Sequence, residues 1–442
     1  MDVQEHARNL LLGSFHAAIA AADPLRIVPR HLPPRLFEDR ISAAGRILVV
    51  GAGKAAASMA RAVEICWQKG ARQAAELNGI VLTRYGHGLP LERIHAVEAG
   101  HPLPDEQGEQ ATRAILHEVQ KLGVHDFLLC LLSGGGSSLL SLPVDGVSIC
   151  DLRSVTRNLL RCGASIQEIN TVRKHLSAIL GGRLAASSHA PVLALIISDV
   201  TGNDPTHIAS GPCAPDPTTY SDALAILASY RINSPTAVME TLLAGADGKL
   251  SETPKPGDSA FNKVENRVIA SARGSLLAAK EYLERQGIPA VIFSDAVTGE
   301  AREVAKVLAA IVKEVRLHEQ PWKAPVALIS GGETTVTVGK DGGGDGRGGR
   351  NAEFLLSLAI ELGGMEKIYA LACDTDGIDG TEDNAGAIIT PHSLYRAKRQ
   401  SLTATGLLAG NDAYTFFERL GDLVVTGPTR TNVNDYRAIL IF

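Results

Sequence analysis

The residues of this 442-residue chain best able to do chemistry stand beside glycine-rich turns. The first turn is Gly51-Ala52-Gly53-Lys54-Ala55-Ala56. It fits the loose G-x-G-x-x-A dinucleotide fingerprint, whose glycines let backbone approach a pyrophosphate at a helix N-terminus. It is not a Walker A loop, because no glycine stands five residues before Gly53 and Ala55 follows the lysine. What remains is Lys54 on the first turn of a helix, where the dipole attracts anions; a tight turn with a solvated lysine explains the string equally well. The second turn is Ser133-Gly134-Gly135-Gly136-Ser137-Ser138. Glycine costs about 0.5–1 kcal/mol of conformational freedom per residue. Three in a row exceed what a plain turn needs, and the string reads as a phosphate cradle.

The third turn runs from Ser198 through Asp199, Asn203 and Asp204 to Pro205. Asp199 closes an apolar run, where a carboxylate can meet Mg²⁺ or a substrate hydroxyl; Asp204, before a proline, reads as a turn cap. Upstream, Arg173 and Lys174 lie on a helix, where exposed charge is the default explanation. The fourth is Gly342–Arg350, seven of whose nine residues are Gly or Asp, the other two being Arg347 and Arg350. Mobile backbone presenting guanidinium forks suits phosphate clamping; a disordered surface loop is the alternative. Further on, Asp374, Asp376 and Asp379 place three acids over six residues. The spacing is not that of an EF-hand, but it suits Mg²⁺ held jointly with nucleotide phosphates, with helix capping by Asp379 as the alternative.

The elements that position these turns are legible from periodicity. RILVVGAGKAAASMARAVE reads as strand, glycine turn, helix, and the pattern recurs at GIVLTRYGHG, DFLLCLLSGGGSSLL and VLALIISDV. Strands written as continuous apolar runs between helices imply parallel sheets covered on both faces. The aperiodic AGADGKLSETPKPGDS stretch, 244–259, reads as a linker. It divides the chain into 1–243 and 260–442, and beyond it βα alternation resumes. The expected fold is therefore α/β with two Rossmann-like parallel-sheet domains and an interdomain active-site cleft.

Composition narrows the class. A net charge of −5 argues against a nucleic-acid partner. The six cysteines form no C-x-x-C pair, as expected of reduced thiols in a cytoplasm. No wholly apolar run approaches the ~20 residues of a membrane span, and the acids ahead of the first apolar segment are unlike a signal peptide.

Taken in order, GAGKAA, LLSGGGSSLL, NTVRKHLSAI, ISDVTGNDPTHIASGPCAPD, ISGGETTV, GRGGRN, TDGIDG with NAGA, and GPTRTNVND resemble the class II glycerate kinases (glycerate 2-kinases). The C-terminal part of that family is a MOFRL-type domain, here at about 323–435. The resemblance spans nearly the whole chain. It implies ATP with a divalent cation and transfer of the γ-phosphoryl group to the 2-hydroxyl of D-glycerate. It also implies a catalytic pair, the lysine of G-x-G-K-A-A and the arginine of G-G-R-N, which match Lys54 and Arg350. Two positions depart from the family pattern: Ala352 stands where Gln is expected and Leu180 where Lys is common. Beside that pair, Asp199 or an acid of the TDGID loop would hold Mg²⁺ or accept the hydroxyl proton. Gly51, Gly53, Ser133 to Ser137, Asn203, Arg347 and Asn351 would line the nucleotide and substrate, and Arg173 with Lys174 would bind the glycerate carboxylate. Monomer and homodimer both stay open. Two rival readings use the same turns. One is an NADPH-dependent hydroxypyruvate reductase, with Arg84 on a 2′-phosphate but no paired His and carboxylate evident for hydride transfer. The other is a non-catalytic sugar-phosphate sensor.

Overall fold

The computed structural model describes residues 3–34, 45–69, 76–338 and 346–442. The chain forms two compact units, Pro24–Ile269 and a discontinuous one made of Met1–Asp23 with Ala270–Phe442. Helix α1 (Val3–Ala21) thus belongs with the C-terminal part of the chain. Its Leu11 and Phe15 pack with Leu276, Leu283 and Tyr436, and the Tyr436 hydroxyl donates to Ser14 Oγ at 2.8 Å. By length and composition alone the stretch Val3–His31 could cross a membrane. The structure divides it into α1 and α2 (Pro24–His31) and buries the apolar side of α1 in that core.

In the unit Pro24–Ile269, β1 (Arg46–Ala52) leads to α3 (Ala56–Lys69), then β2 (Glu76–Arg84), β3 (Ile94–Ala99), α4 (Glu106–Gln120) and β4 (Phe127–Leu132). A one-turn α5 (Gly136–Leu139) is followed by α6 (Ile149–Arg161), α7 (Ile166–His175) and α8 (Arg183–Ala186). The unit is completed by β5 (Val192–Ser198), α9 (Tyr220–Ser229), α10 (Thr236–Ala246) and β6 (Val264–Ser271). The strand order is β3-β2-β1-β4-β5-β6, and β3 through β5 pair in parallel. This is the doubly wound order, with its switch point between β1 and β4. The apolar runs of β1, β4 and β5 are buried almost throughout, as two covered faces require.

The second unit continues with α11 (Ala272–Arg285), β7 (Ala290–Glu300), α12 (Ala301–His318), β8 (Val326–Thr335) and α13 (Arg350–Leu362). Then come β9 (Ile368–Asp374), β10 (Gly386–Ile389), α14 (Ser393–Arg399), α15 (Ala404–Ala409), α16 (Ala413–Leu420), β11 (Leu423–Val424) and β12 (Asp435–Ile441). Its sheet, β11-β10-β9-β12-β8-β7, is mixed and not parallel as expected. β7 and β8 are parallel, whereas β12 lies antiparallel between β8 and β9, and β10 is antiparallel to β9. The cause is local. A parallel return needs a crossover, usually a helix, and the links β9–β10 and β11–β12 contain none.

The segment 244–259 does not separate the units. The Asp216 amide donates to the Pro254 carbonyl at 2.9 Å, and the Tyr220 amide to Glu252 Oε1 at 3.0 Å. A polar strap bonded to its own unit has the composition of a tether.

Candidate active site

Each unit carries one cluster of the expected residues. In the first unit, the carboxyl ends of β1 and β4 meet at the switch point, where such sheets bind ligands. The Lys54 amide donates to the Gly134 carbonyl (2.9 Å), the Ala55 amide to Ser133 Oγ (3.0 Å), the Gly53 amide to Leu82 O (3.1 Å) and the Ala56 amide to Gly53 O (3.1 Å). The four N–H groups of this turn are thus spent inside the protein. Gly53 has φ +132°, and a Cβ there would lie 2.1 Å from Ser133 Oγ; a Cβ on Gly51, inside β1, would meet the Leu131 carbonyl at 2.2 Å. Both glycines are required by close backbone packing. Lys54 itself lies in the turn just before α3, not on its first helical turn.

The second turn differs. Ser133 and Gly136 donate internally, to Ala52 O and Ser133 O. Among the described residues no acceptor takes the N–H of Gly134, Gly135 or Ser137. Gly135 is left-handed (φ +84°), and a Cβ on it would come within 2.9 Å of His101 Nε2 and 3.7 Å of Lys54 Cγ. Two long side chains therefore lie beside the bare glycine. His101, after the end of β3, was missed by the sequence reading; its only signal was its place at a strand's carboxyl end.

The segment after β5 is drawn onto the same turn. Ser210 Oγ bonds Ser137 Oγ (2.8 Å) and Asn170 Oδ1 (2.9 Å), and Asn170 Nδ2 donates to His207 O (3.2 Å). Ala209 and Ser210 hold left-handed backbone, with φ +51° and +55°. Such strain in non-glycine residues persists where surrounding structure enforces it, commonly at functional sites. Asp199 follows the last residue of β5, on the edge that carries Gly134 and Gly135. Asn203 is also left-handed (φ +56°), and Asp204 accepts the Thr206 amide at 2.9 Å, the turn cap expected of it.

Helix α7 separates the basic pair. Lys174 is buried and bonds Asp216 at 3.2 Å. Burial opposes ionisation of Asp216, but Lys174, the hydrogen bonds from Thr218, and His175 together outweigh it and hold the carboxyl below its usual range. Lys174 is a structural ion-pair partner, which corrects its expected role on the substrate. Arg173 is half-buried, and desolvation brings its guanidinium down to about 10. Leu180 lies in the apolar core of this unit, a position suited to the leucine it carries.

In the second unit, Arg350 opens α13 and reaches three acids on neighbouring strands. It donates to Asp435 (2.8 Å) at the start of β12, Asp374 (2.9 Å) at the end of β9 and Glu333 (2.7 Å) near the end of β8. Burial alone would lower its pKa, but Asp435, Asp374 and Glu333 raise it well above the ordinary value. Asn351 Nδ2 steadies Asp435 at 2.8 Å, and the buried Arg437 bonds the other Asp435 oxygen at 2.5 Å. Asp435 and Glu333 were not singled out as site residues, because nothing in one sequence says which strand ends become neighbours.

Asp379 spends both oxygens on the start of α13, accepting the Asn351 amide (2.9 Å) and the Ala352 amide (2.8 Å). Burial, the largest influence, raises its carboxyl to about 6. Asp374 holds Arg350 with one oxygen and the Asp376 amide with the other, and Asp376 accepts the Ile378 amide. Among the described residues no three His, Cys, Asp or Glu side chains converge to hold a metal. Asp374, Asp376 and Asp379 thus lie in one loop without forming a three-carboxylate cluster of their own, and the expectation for them is Mg²⁺ shared with nucleotide phosphates. Arg347 bonds Glu382 at 2.8 Å and lies 4.3 Å over the Tyr414 ring, so it is a fixture of its own unit's surface. Residues 342–345 of the glycine-rich loop lie outside the described residues. Ala352 is fully buried in the core, where a Gln would bring an unpaired amide.

Comparison with known proteins supplies the remaining evidence. The family model of a domain of unknown function, DUF4147, matches residues 10–243, and that of the MOFRL family matches residues 326–435. A protein of Agrobacterium vitis named "Putative hydroxypyruvate reductase" is 48% identical over 98% of this chain and 94% of its own length. The D-glycerate 2-kinase of Thermotoga maritima is 40% identical over 98% of this chain and 97% of its own. The crystal structure of a glycerate kinase from Thermotoga maritima superposes with a TM-score of 0.84 at 40% identity, covering 99% of this chain and 100% of the other.

Proposed function

This chain belongs to the glycerate 2-kinase family marked by the DUF4147 and MOFRL domains, and from that membership we propose that it transfers the γ-phosphoryl group of ATP to the 2-hydroxyl of D-glycerate. The observation that carries the reading is the pairing of two unlike turns at the β1/β4 switch point. One is saturated and holds Lys54; the other leaves the amides of Gly134, Gly135 and Ser137 without acceptors among the described residues. Unsatisfied amides beside a lysine suit phosphoryl oxygens.

Phosphoryl transfer passes through a loose transition state, so positioning and charge stabilisation do most of the work. Lys54 is assigned to the charge developing on the transferring group. By the family resemblance Arg350 is the second catalytic residue. Asp374 and Asp435, nearly buried, fix its orientation, while Glu333, 54% exposed, can swing aside to release one nitrogen. Asp199 is assigned to the reacting hydroxyl. Mg²⁺ would enter with ATP, held jointly by its phosphates and by Asp199 or an acid of the TDGID loop.

The reductase reading finds less support. A dinucleotide pyrophosphate needs the amides of the first glycine turn, and those are spent internally. The test supplies purified protein with ATP, Mg²⁺ and D-glycerate and couples the product to enolase without a mutase. Phosphoenolpyruvate should form at once. Its appearance only after phosphoglycerate mutase is added would make the enzyme a 3-kinase, and no ADP release at all would end the kinase reading.

A further inference from the structure

We propose that Ser137, directed by Asn170 and Ser210, accepts a hydrogen bond from the acceptor's spare hydroxyl, and so selects 2,3-dihydroxy acids over 2-hydroxy acids that lack it. The inference rests on the kinase reading of the site and adds to it a determinant of which acceptor is taken.

A single proton sets the direction of the hydrogen-bond chain. Asn170 Nδ2 donates to the His207 carbonyl at 3.2 Å. A carbonyl can only accept, so the amide is oriented with Oδ1 toward Ser210 Oγ, 2.9 Å away. Oδ1 is likewise only an acceptor. Ser210 must therefore give its one hydroxyl proton to Asn170. The 2.8 Å bond between Ser210 Oγ and Ser137 Oγ then has to draw its proton from Ser137. Ser137 Oγ is left presenting lone pairs alone, and among the described residues no other donor bonds it.

The chain is held in place by its surroundings. Asn170 and Ser210 are buried and Ser137 is half-buried. Asn170 lies on α7 one turn before Lys174, whose buried ion pair with Asp216 spans 3.2 Å. Ser210 keeps left-handed backbone at φ +55°. Gly136 lets that segment close onto the turn, since a Cβ there would lie 2.6 Å from the Cβ of Ala209.

The polarity says which ligand group belongs at Ser137. Ionised carboxylate and phosphoryl oxygens are acceptors too, and a hydroxyl offering only lone pairs suits a ligand O–H instead. A 2,3-dihydroxy acid has two. The reacting one must shed its proton, and Ser137 is no route for it. Ser137 would have to pass its own proton to Ser210, and Ser210 to Asn170, where the relay ends on an amide oxygen too weak a base to hold it. That proton is assigned to Asp199, so the hydroxyl at Ser137 is the one that does not react. It belongs to the acceptor and not to the ribose of the nucleotide. The ribose is separated from the γ-phosphoryl group by two further phosphates, whereas the spare hydroxyl stands on the carbon next to the reacting one.

The experiment uses full-length wild type, Ser137→Ala and Ser210→Ala with ATP and either D-glycerate or D-lactate, which lacks the 3-hydroxyl. The D-glycerate assay is repeated with 2′-deoxy- and 3′-deoxy-ATP, and thermal unfolding of each protein is measured alone and with each acid. Wild type should prefer D-glycerate in kcat/KM. In Ser137→Ala that preference should shrink on the order of tenfold, the worth of one hydrogen bond between neutral groups, chiefly through KM. Because both acids are compared on one protein, any loss of folded fraction cancels from the ratio. In Ser210→Ala the Ser137 proton is released to turn toward the ligand, so the preference should shrink although Ser137 is untouched. A preference unchanged within about twofold in Ser137→Ala would overturn the proposal, as would an equal fall with both acids. Full preference in Ser210→Ala would overturn the directing chain. A change in the discrimination between ATP and its deoxy analogues, with the acid ratio intact, would give the hydroxyl to the ribose and overturn the assignment. If wild type phosphorylates neither acid, the kinase reading fails. The thermal shifts then judge Ser137 separately: a larger shift with D-glycerate than with D-lactate, lost in Ser137→Ala, supports it, and equal shifts in wild type overturn it.

Discussion

Truncating Arg350 and Lys54 should cost similar activity but very different stability. In Arg350→Ala, Asp374 and Asp435, with side chains 6% and 0% exposed, lose the cation that bonds them at 2.9 and 2.8 Å. Breaking a buried ion pair from one side costs about 3–5 kcal/mol. Arg437 still compensates Asp435 and Glu333 is solvated, so the lower end applies, about 3 kcal/mol. For a domain of this size that corresponds to roughly 6–12 °C in Tm. In Lys54→Ala the amide bond to Gly134 survives, and the loss should stay within about 1 kcal/mol. Both variants should lose roughly 10³-fold in kcat, because the proposed function gives each a catalytic charge. The assays are enolase-coupled turnover at a temperature where both variants are folded, and melting followed by circular dichroism. An Arg350→Ala protein that melts like wild type would show that the three-acid network is solvated. One that is destabilised yet loses less than about tenfold in kcat would remove Arg350 from the transferring group.

Gly53→Ala must place a Cβ 2.1 Å from Ser133 Oγ at φ +132°, and should reduce soluble yield and activity together; normal values for both would show that the turn relaxes. Ser133→Ala orphans the buried Ala55 amide and should lower stability by about 1–3 kcal/mol in denaturant titration, an effect the packing argument forbids from being zero. Asp379, raised by burial to about 6, holds its proton in the folded state where the unfolded chain has lost it. Its contribution to stability is therefore complete below about pH 4 and declines as pH rises through 6, by roughly 3 kcal/mol. Asp379→Asn should flatten that part of the stability profile, and an unchanged slope would assign it to another group. NADPH should not be consumed with hydroxypyruvate, and oxidation that survives Lys54→Ala would favour the reductase.

Much of the first unit was legible because its signals are local. The apolar runs of β1, β4 and β5 announce strands covered on both faces, and a glycine turn after each of the first two marks where ligands gather. That these turns meet follows from the right-handed crossover rule and the doubly wound order, so Lys54 and Ser133 to Ser137 could be grouped before any coordinates existed. The mixed sheet was not legible. A strand buried on both faces reads the same whichever way it runs, and direction is decided by the lengths of links that composition does not measure. The same blindness hid Asp435 and Glu333, which reach Arg350 only because β12 lies between β8 and β9.

The glycines show a deeper limit. Gly51 and Gly53 match a ligand-binding fingerprint, yet both are required by close packing on Leu131 and Ser133. The glycines of the second turn match no fingerprint as well, yet among the described residues the amides of Gly134 and Gly135 are left without acceptors. A glycine reports that something approaches the backbone, and sequence does not say whether it is a ligand or the next strand. The basic pair makes the same point for charge. Arg173 and Lys174 are neighbours of like type on one helix, and the fold buries Lys174 against an aspartate while Arg173 stays half-buried with no ion-pair partner among the described residues. Function in such a site resides in the groups that packing leaves unsatisfied. They are found by accounting for every donor and acceptor in the fold, and in the second turn that accounting leaves over the amides of Gly134, Gly135 and Ser137 among the described residues.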